Sequence, residues 1–361
     1  MNQKLLVMED SGQSGFGGGQ RITLEVLNRG QIPDEIILMD TICADWHRLI
    51  KDPGIRINVL NKNEKKELST VRFIFMTLLY LFKASPDKIY ITTRKNFIPA
   101  LIYKIMRPGV RLVYHFHLSA TRNILWRWYD RLVVQFSKHI IFSSEFTYQK
   151  FTKMRNFIDR SQGFSISPLP PAKWNWEKSD HGSRLPSDPV VVSYIGRISE
   201  EKGIFIFLDA IDLLDETINW TVRIAGDGPA RNEMLKRISA SRFKEKIEYC
   251  GPVNTDKYFY KKITLLIIPS FNIDETICLT ALEAMQAGVP VICSTNGNLG
   301  VFVREKSATG LSQPDAGYIA SVCKRKIVEI EKQNYARVFP RKANESGDNF
   351  GAFYHLIFSR I

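Results

Sequence analysis

Residues 269–292, PSFNIDETICLTALEAMQAGVPVI, decide the fold of this chain. The apolar run that precedes them, residues 264–268, is short and rich in branched side chains, which is typical of a buried parallel strand. A polar loop and about three turns of helix-forming residues follow. The pattern closes at Gly288, where a left-handed C-cap is expected, and residues 289–293 resemble the next strand. The stretch therefore predicts a strand–helix–strand unit of a parallel α/β sheet.

Two acids, Glu275 and Glu283, are the chemically informative residues of this stretch. On one helix, eight residues at ~1.5 Å each would separate them by about 12 Å. That is too far for an acid–base pair across one glycosidic bond, which needs roughly 5–9.5 Å. The distance suits the two ends of one elongated ligand.

Backbone amides at the predicted helix start would lie between the two acids. With the positive end of the helix dipole, such amides form a site for phosphate. The residues concerned are Thr276, Ile277, Cys278 and Leu279. Glu283 could instead be an ordinary solvated helix residue, but Thr276 and Thr280 would share its face in an otherwise apolar helix. A ligand with hydroxyls at both ends and phosphate between them is a nucleotide sugar.

The two acids and the segment LEAMQAGVPVI resemble the sugar-nucleotide motif of family 4 retaining glycosyltransferases, the glycosyl transferases group 1. The resemblance is strongest over residues 190–310, and Cys278 departs from the glycine that is usual in the family. It implies an α/β chain with the GT-B fold, two doubly wound Rossmann-like domains that face each other across a cleft. It also implies hexosyl transfer with Glu275 positioning the sugar, Glu283 holding the ribose, and residues 276–280 near the diphosphate.

The segment GRISEEKG, residues 196–203, follows a second apolar strand at residues 190–195. It places Arg197 and Lys202 at the carboxyl edge of a sheet, where α/β proteins bind ligands. Two fixed cations can stabilise the charge that develops on a departing nucleoside diphosphate without a metal. The segment resembles the donor-phosphate loop of the family, which implies catalytic roles for both cations.

Three glycine turns complete the predicted donor site, and the resemblance places each near the nucleotide. They contain Gly196, Gly251 and Gly297. No Asp-x-Asp pair accompanies the donor motif, so we expect no metal and no cofactor besides the nucleotide diphosphate sugar that serves as donor.

The first half of the chain carries the predicted acceptor side. A glycine-rich segment that includes Gly17, Gly18 and Gly19 follows the first strand, and it resembles the family's loop that faces the cleft. Two histidines, His115 and His117, alternate along a strand end and so point the same way. Two histidines alone make a poor metal site, and either could be satisfied within the wall of the site. The resemblance aligns His117 with a histidine near the transferred sugar, which implies a catalytic role, and leaves His115 as a second acceptor-side candidate.

Composition shifts predict the domain boundaries. Residues 1–168 form the acceptor-side domain, a Pro-, Ser- and Asp-rich linker spans 169–189, and residues 190–345 form the nucleotide-sugar domain. The resemblance implies that residues 346–361 form a terminal helix that crosses back to the first domain.

The net charge of +13 is concentrated in one region, because residues 65–160 contain 18 basic and 5 acidic residues. Aromatic side chains lie among these charges, at Trp126, Trp128 and Tyr129. This pattern favours peripheral contact with an anionic membrane, although the charges could simply be solvated. Nucleic acid would also suit such a surface, but no nucleic-acid motif is present and none is expected to bind.

The remaining features concern location and rival functions. The first apolar run ends in acids and indicates a strand rather than a signal peptide, the longest apolar run is too short to span a bilayer, and the cysteines form no metal or disulfide pattern. We therefore expect a cytoplasmic protein on the inner membrane face that uses a saccharide or lipid-linked acceptor in surface polysaccharide synthesis. Two alternatives remain: an epimerase or hydrolase of the same nucleotide sugar, and a non-catalytic basic module that binds membrane or RNA.

Overall fold

The computed structural model describes residues 4–9, 18–28, 36–40, 50, 54–60, 69–117, 123–154, 163–166, 188–253, 257–272 and 275–332. These residues form two compact units, one before residue 172 and the other after it. Each unit contains a wholly parallel sheet, so the predicted α/β architecture of two doubly wound domains is confirmed. The predicted terminal helix, and the predicted linker except for its last two residues, lie outside the described part of the chain.

Among the described residues, the sheet of the first unit has seven strands in the order β3-β2-β1-β4-β5-β6-β7. The order reverses between β1 and β4, which pair in parallel from Leu5 opposite Lys88 to Met8 opposite Ile91. The strands are β1 Leu5–Met8, β2 Ile36–Asp40, β3 Ile55–Val59, β4 Lys88–Ile91, β5 Arg111–Phe116, β6 His139–Phe142 and β7 Gly163–Ile166. Strand β1 is buried along its whole length, as expected for a central strand covered on both faces.

Helices cover both faces of this sheet. Right-handed crossovers place the helices α2 to α5 on one face and α1 on the other. Their bounds are α1 Gly18–Asn28, α2 Thr70–Ala84, α3 Arg94–Met106, α4 Ile124–Phe136 and α5 Glu145–Met154. The glycine-rich segment was expected to resemble a loop, but Gly18 and Gly19 already belong to the first turn of α1.

In the described part of the second unit, six strands form a sheet in the order β10-β9-β8-β11-β12-β13. Its order reverses between β8 and β11. The strands are β8 Val190–Ile195, β9 Trp220–Ala225, β10 Ile247–Tyr249, β11 Leu265–Ile268, β12 Val291–Ser294 and β13 Thr309–Leu311. The helices are α6 Ile204–Asp212, α7 Arg231–Ala240, α8 Lys257–Lys261, α9 Leu279–Gln286, α10 Leu299–Arg304 and α11 Ala316–Lys332.

The strand–helix–strand unit predicted from residues 264–293 is present as β11, α9 and β12, with Leu266 opposite Val291. Gly288 has φ +67°, which confirms the left-handed C-cap. The helix itself begins at Leu279 and not near Thr276. Two causes are visible: Thr276 and Ile277 are β-branched, and the backbone carbonyl of Glu275 accepts the Asn298 N–H at 2.7 Å, which anchors this segment beside β12.

Candidate functional site

The reversal of strand order between β8 and β11 defines a crevice at the carboxyl end of the second sheet. In open α/β sheets, ligands bind outside the strand ends at such a switch point. The loop of residues 196–203 follows β8, and residues 269–278 follow β11. Both stretches that the sequence predicted to bind the donor therefore lie at the position where this fold binds ligands.

An ion pair joins these two stretches. Lys202 Nζ donates a hydrogen bond to Glu275 Oε1, with 25% and 9% of the two side chains exposed. The buried Tyr194 hydroxyl donates to the Arg197 carbonyl at 2.9 Å and lies 3.4 Å from the Lys202 carbonyl, so it anchors the backbone of this loop. The structure therefore brings Lys202 and Glu275 together as one charged pair across the switch point.

Arg197 occupies a more exposed position in the same loop. Its side chain is 44% exposed, and its Nη1 lies 3.8 Å from Glu201 Oε1. A guanidinium in this state can reorient toward an anion at low cost, because an exposed ion pair contributes little energy. The two predicted cations thus differ: Lys202 is fixed by its partner, whereas Arg197 lies at the rim of the loop.

Gly203 allows the two stretches to approach each other. Its φ is +77°, and a Cβ atom at this position would lie 2.0 Å from the carbonyl oxygen of Pro269. Both the dihedral angle and the contact therefore require glycine at the end of the loop.

Glu283 lies within α9 and is 6% exposed. Its Oε2 accepts a hydrogen bond of 2.9 Å from the hydroxyl of Tyr260, a fully buried residue of α8. The interpretation of Glu283 as an ordinary solvated residue is therefore wrong. The sequence offered no signal for Tyr260, because nothing in the five-residue segment KYFYK distinguishes a tyrosine that binds Glu283 from one that only packs in the core.

The start of α9 changes the predicted phosphate cradle. The first helical hydrogen bond runs from the Leu282 N–H to the Cys278 carbonyl, so the amides that lack a helical partner are those of residues 279–281 and not 276–279. Leu279 and Thr280 open the helix, whereas Thr276 and Ile277 precede it. The polar stripe is therefore reduced to Thr280 and Glu283. The 12 Å separation inferred along a single helix does not apply either, since Glu275 lies before that helix.

Cys278 is the N-cap residue of α9 and is buried. Burial, with a smaller contribution from the Glu275 carboxylate, raises the pKa of its thiol to about 12. The thiol is thus a small neutral group next to the helix start.

The predicted glycine turns all lie at this same edge of the sheet. Gly196, Gly251 and Gly297 have φ values of +152°, +68° and +60°. The turns after β9 and β10 are joined by the Gly226 N–H, which donates to the Gly251 carbonyl at 2.8 Å. The turn that contains Gly297 is tied to Glu275 through Asn298. All of these contacts are made within the protein, so the role of each glycine in ligand binding stays a prediction.

In the first unit, the two predicted histidines lie side by side at the carboxyl end of β5. The ring centroids of His115 and His117 are 4.0 Å apart, so their side chains do lie on the same face. His115 Nδ1 is 2.6 Å from the Tyr90 hydroxyl, and Ser143 Oγ lies 3.4 Å from His115 Nε2 and 3.3 Å from His117 Nδ1. Burial lowers the pKa of His117 to about 4 and that of His115 well below 6.5, so both are neutral at pH 7.

The first turn of α1 packs against this pair. A Cβ atom on Gly19 would lie 3.6 Å from His117 Cγ, while Gly18 is exposed and Gly17 lies outside the described residues. Thr23 of the same helix donates a 2.6 Å hydrogen bond to Glu9, a 2% exposed carboxylate at the end of β1. Glu9, Tyr90 and Ser143 were missed from the sequence, although each stands at or near a strand end, where polar side chains signal a site.

Within the described ranges, no group of three or more His, Cys, Asp or Glu side chains could hold a metal ion. Over the same part of the chain, no helix is long and apolar enough to cross a bilayer.

Comparison with known families finds one matching family model, glycosyl transferases group 1, over residues 176–335. An uncharacterised glycosyltransferase of Methanocaldococcus jannaschii is 30% identical over 137 residues, which are 37% of this chain and 35% of that protein. The lipopolysaccharide core biosynthesis mannosyltransferase LpsB of Rhizobium meliloti is 25% identical over 72% of this chain and 74% of its own length. With three of its curated relatives, the M. jannaschii protein among them, this chain aligns over only 29 to 41% of the relative's length.

Among solved structures, HepE of Anabaena, in complex with UDP and glucose, superposes with a TM-score of 0.72 at 17% sequence identity. The alignment covers 99% of this chain and 95% of HepE. The fold is therefore that of GT-B glycosyltransferase structures, as the sequence predicted. The matched residues 176–335, fewer than half of the chain, include the ion pair and α9.

Proposed function

We propose that this chain is a retaining glycosyltransferase that moves a hexosyl group from a nucleotide diphosphate sugar to a saccharide or lipid-linked acceptor. The observation that carries the proposal is the Lys202–Glu275 ion pair across the switch point. Glu275 lies four residues before α9 begins at Leu279. The family match over residues 176–335 supports sugar transfer, and the nucleotide and sugar bound by HepE support a nucleotide sugar as donor.

The roles of the donor-side residues follow from charge. Lys202 and the rim residue Arg197 stabilise the negative charge of the departing nucleoside diphosphate, together with the amides at the start of α9. Glu275 accepts hydrogen bonds from sugar hydroxyls, and its partner Lys202 offsets its repulsion of the nearby diphosphate. Glu283, oriented by Tyr260, accepts from the ribose hydroxyls. His117 serves the sugar or the acceptor hydroxyl, with Gly19 and His115 beside it.

Two cations in the donor loop take the place that a divalent metal occupies in other transferases. The reaction is therefore proposed to be metal-independent, and we expect sugar transfer to persist in EDTA.

A peripheral membrane location at the cytoplasmic face is part of the proposal. Helix α4 exposes an apolar stripe at i, i+3 and i+7, formed by Leu125, Trp128 and Leu132, with Arg127 and Arg131 exposed among them. Helix α2 exposes a second stripe, Val71, Phe75 and Leu79. Apolar side chains set in a region of net charge +13 are complementary to an anionic bilayer surface. This location suits a lipid-linked acceptor, and the mannosyltransferase LpsB supports a role in surface polysaccharide synthesis.

The decisive experiment combines donor binding with a double variant. A panel of UDP-, GDP- and ADP-sugars is screened by thermal stabilisation, and transfer to a lipid-linked saccharide extract is then measured for wild type and Arg197→Ala/Lys202→Ala. We expect the double variant to lose at least about a hundredfold in turnover. The matched control, Lys236→Ala/Arg325→Ala, removes two exposed cations from the same unit and should leave turnover unchanged.

Near wild-type turnover of Arg197→Ala/Lys202→Ala would exclude the proposed leaving-group role. Epimerised or hydrolysed sugar formed from donor alone would favour the epimerase or hydrolase, and failure of every donor to bind would favour the non-catalytic module.

A further inference from the structure

Ser143, at the end of β6, lies between the two histidines of the first unit. Its Oγ is 2.7 Å from the Phe116 carbonyl oxygen, 3.3 Å from His117 Nδ1 and 3.4 Å from His115 Nε2. A serine hydroxyl has one proton to donate and two lone pairs that accept. The carbonyl can only accept, so the proton of Ser143 is directed to Phe116. Both imidazole nitrogens must then donate to Ser143 Oγ.

The rest of the network agrees with this assignment. With its proton on Nε2, His115 has an acceptor at Nδ1, which lies 2.6 Å from the Tyr90 hydroxyl. Burial raises the pKa of Tyr90 well above 10, so this hydroxyl remains a donor. Burial also keeps His115 neutral, so one of its nitrogens is always an acceptor. Each hydrogen bond from Tyr90 through His115 and Ser143 to His117 therefore has one defined donor and one defined acceptor.

We infer that Ser143 is a positioning residue that fixes His117 in the tautomer protonated at Nδ1, so that Nε2 is an acceptor for a hydroxyl group of the sugar ligands. The hydrogen bond made by one ring nitrogen decides the state of the other. A neutral ring whose second nitrogen only accepts can bind an O–H group, whereas a phosphate oxygen would need a donor. The identity of the ligand as a sugar rests on the proposed function, while the tautomer rests on the network alone.

The tautomer can be measured without any ligand. Full-length protein labelled with ¹⁵N-histidine is examined by long-range ¹H–¹⁵N correlation, and the His117 signals are assigned by their loss in His117→Asn. We expect a protonated Nδ1 on His117 and a protonated Nε2 on His115. In Ser143→Ala, His117 should shift toward the Nε2-protonated form that free histidine prefers in water. Ser143→Thr, which keeps the hydroxyl, should preserve the wild-type tautomer.

Ser144→Ala is the matched control, because the hydroxyl of this neighbouring buried serine bonds to Thr147 of α5. Its tautomers should match wild type. In transfer assays, Ser143→Ala should lower kcat by about tenfold to hundredfold while KM for the donor changes by less than about threefold, and Ser143→Thr should restore kcat.

A wild-type His117 protonated at Nε2 would overturn the inference, and so would a Ser143→Ala spectrum identical to that of wild type. The wild-type spectrum decides the matter even if Ser143→Ala does not fold. Absence of sugar transfer together with the expected tautomer would count against the proposed function alone.

Discussion

At the scale of single residues, the predicted site residues of each unit depend on side chains that hold them in place. Glu275 is held by Lys202, Glu283 by Tyr260, and His117 by Ser143. In each case the sequence predicted the residue that is held in place, and its partner comes from another element; of the three partners, the sequence predicted only Lys202 as a site residue. Side chains held in this way lose less freedom when a ligand binds, which favours tight and specific binding.

Tyr260→Phe tests one of these partners on the donor side. The change keeps the buried ring and removes only the hydroxyl that donates to Glu283. A hydrogen bond to a charged group contributes about 1.5–3 kcal/mol, so we expect donor affinity to fall by about tenfold as Glu283 loses its orientation. Calorimetry with the best nucleotide sugar of the panel measures this. Tyr258→Phe, on the same helix but 62% exposed, is the control, and equal affinities of both variants would contradict the role of Tyr260.

His117 also predicts how stability depends on pH. Its pKa in the folded protein is about 4, below the unfolded value of 6.5, so the unfolded chain binds more protons between these values. Stability must therefore fall as pH decreases from 6.5 toward 4, and this contribution is absent above pH 7. Between pH 7 and 4.5, urea unfolding of wild type should lose about 2–3 kcal/mol more than that of His117→Gln. Parallel losses in the two proteins would show that His117 is not held neutral by the fold.

At the scale of elements, the sequence predicted strands, helices and their order well, but it misplaced helix starts. The strands β8, β11 and β12 are apolar runs whose burial follows from composition. The start of α9 depends instead on the bond between Asn298 and Glu275, which joins residues 23 positions apart in the chain. A local pattern cannot contain such a contact. For the same reason the acids Glu275 and Glu283 were recognised, while Lys202 as the partner of Glu275 and Tyr260 as the partner of Glu283 were not.

Gly203 tests whether the loop after β8 must pack against the segment after β11. Gly203→Ala should destabilise the protein by more than the roughly 1–2 kcal/mol of a left-handed alanine, because its Cβ atom would also lie 2.0 Å from the Pro269 carbonyl oxygen. Gly251→Ala provides a matched control: its φ of +68° is similar, but no atom of the described residues lies within 4 Å of the added carbon. Urea unfolding of both variants measures the difference. Equal losses of unfolding free energy in the two variants would show that the loop moves away from Pro269 at no energetic cost.

At the scale of the whole molecule, the two units differ in what they expose. The residues proposed to bind the donor lie in the second unit, whereas the basic region and the exposed apolar stripes of α2 and α4 lie in the first. Sequence composition located the basic region, but only the fold shows which of its apolar residues reach the surface. Phe73 and Phe75 lie two positions apart on α2, yet Phe73 is fully buried whereas Phe75 is 61% exposed. The exposed members are those that a bilayer could cover.

Vesicle sedimentation tests this division between the units. Full-length protein should bind vesicles that contain anionic lipid at low salt and dissociate as ionic strength rises, because screening weakens the attraction of the basic region. Leu125→Ala/Trp128→Ala removes two exposed apolar side chains of α4 without changing charge, and we expect binding to weaken by about tenfold. Leu235→Ala, an exposed leucine on α7 of the second unit, should bind like wild type. Full binding by the double variant would mean that charge alone, and not the stripe on α4, holds the protein to the membrane.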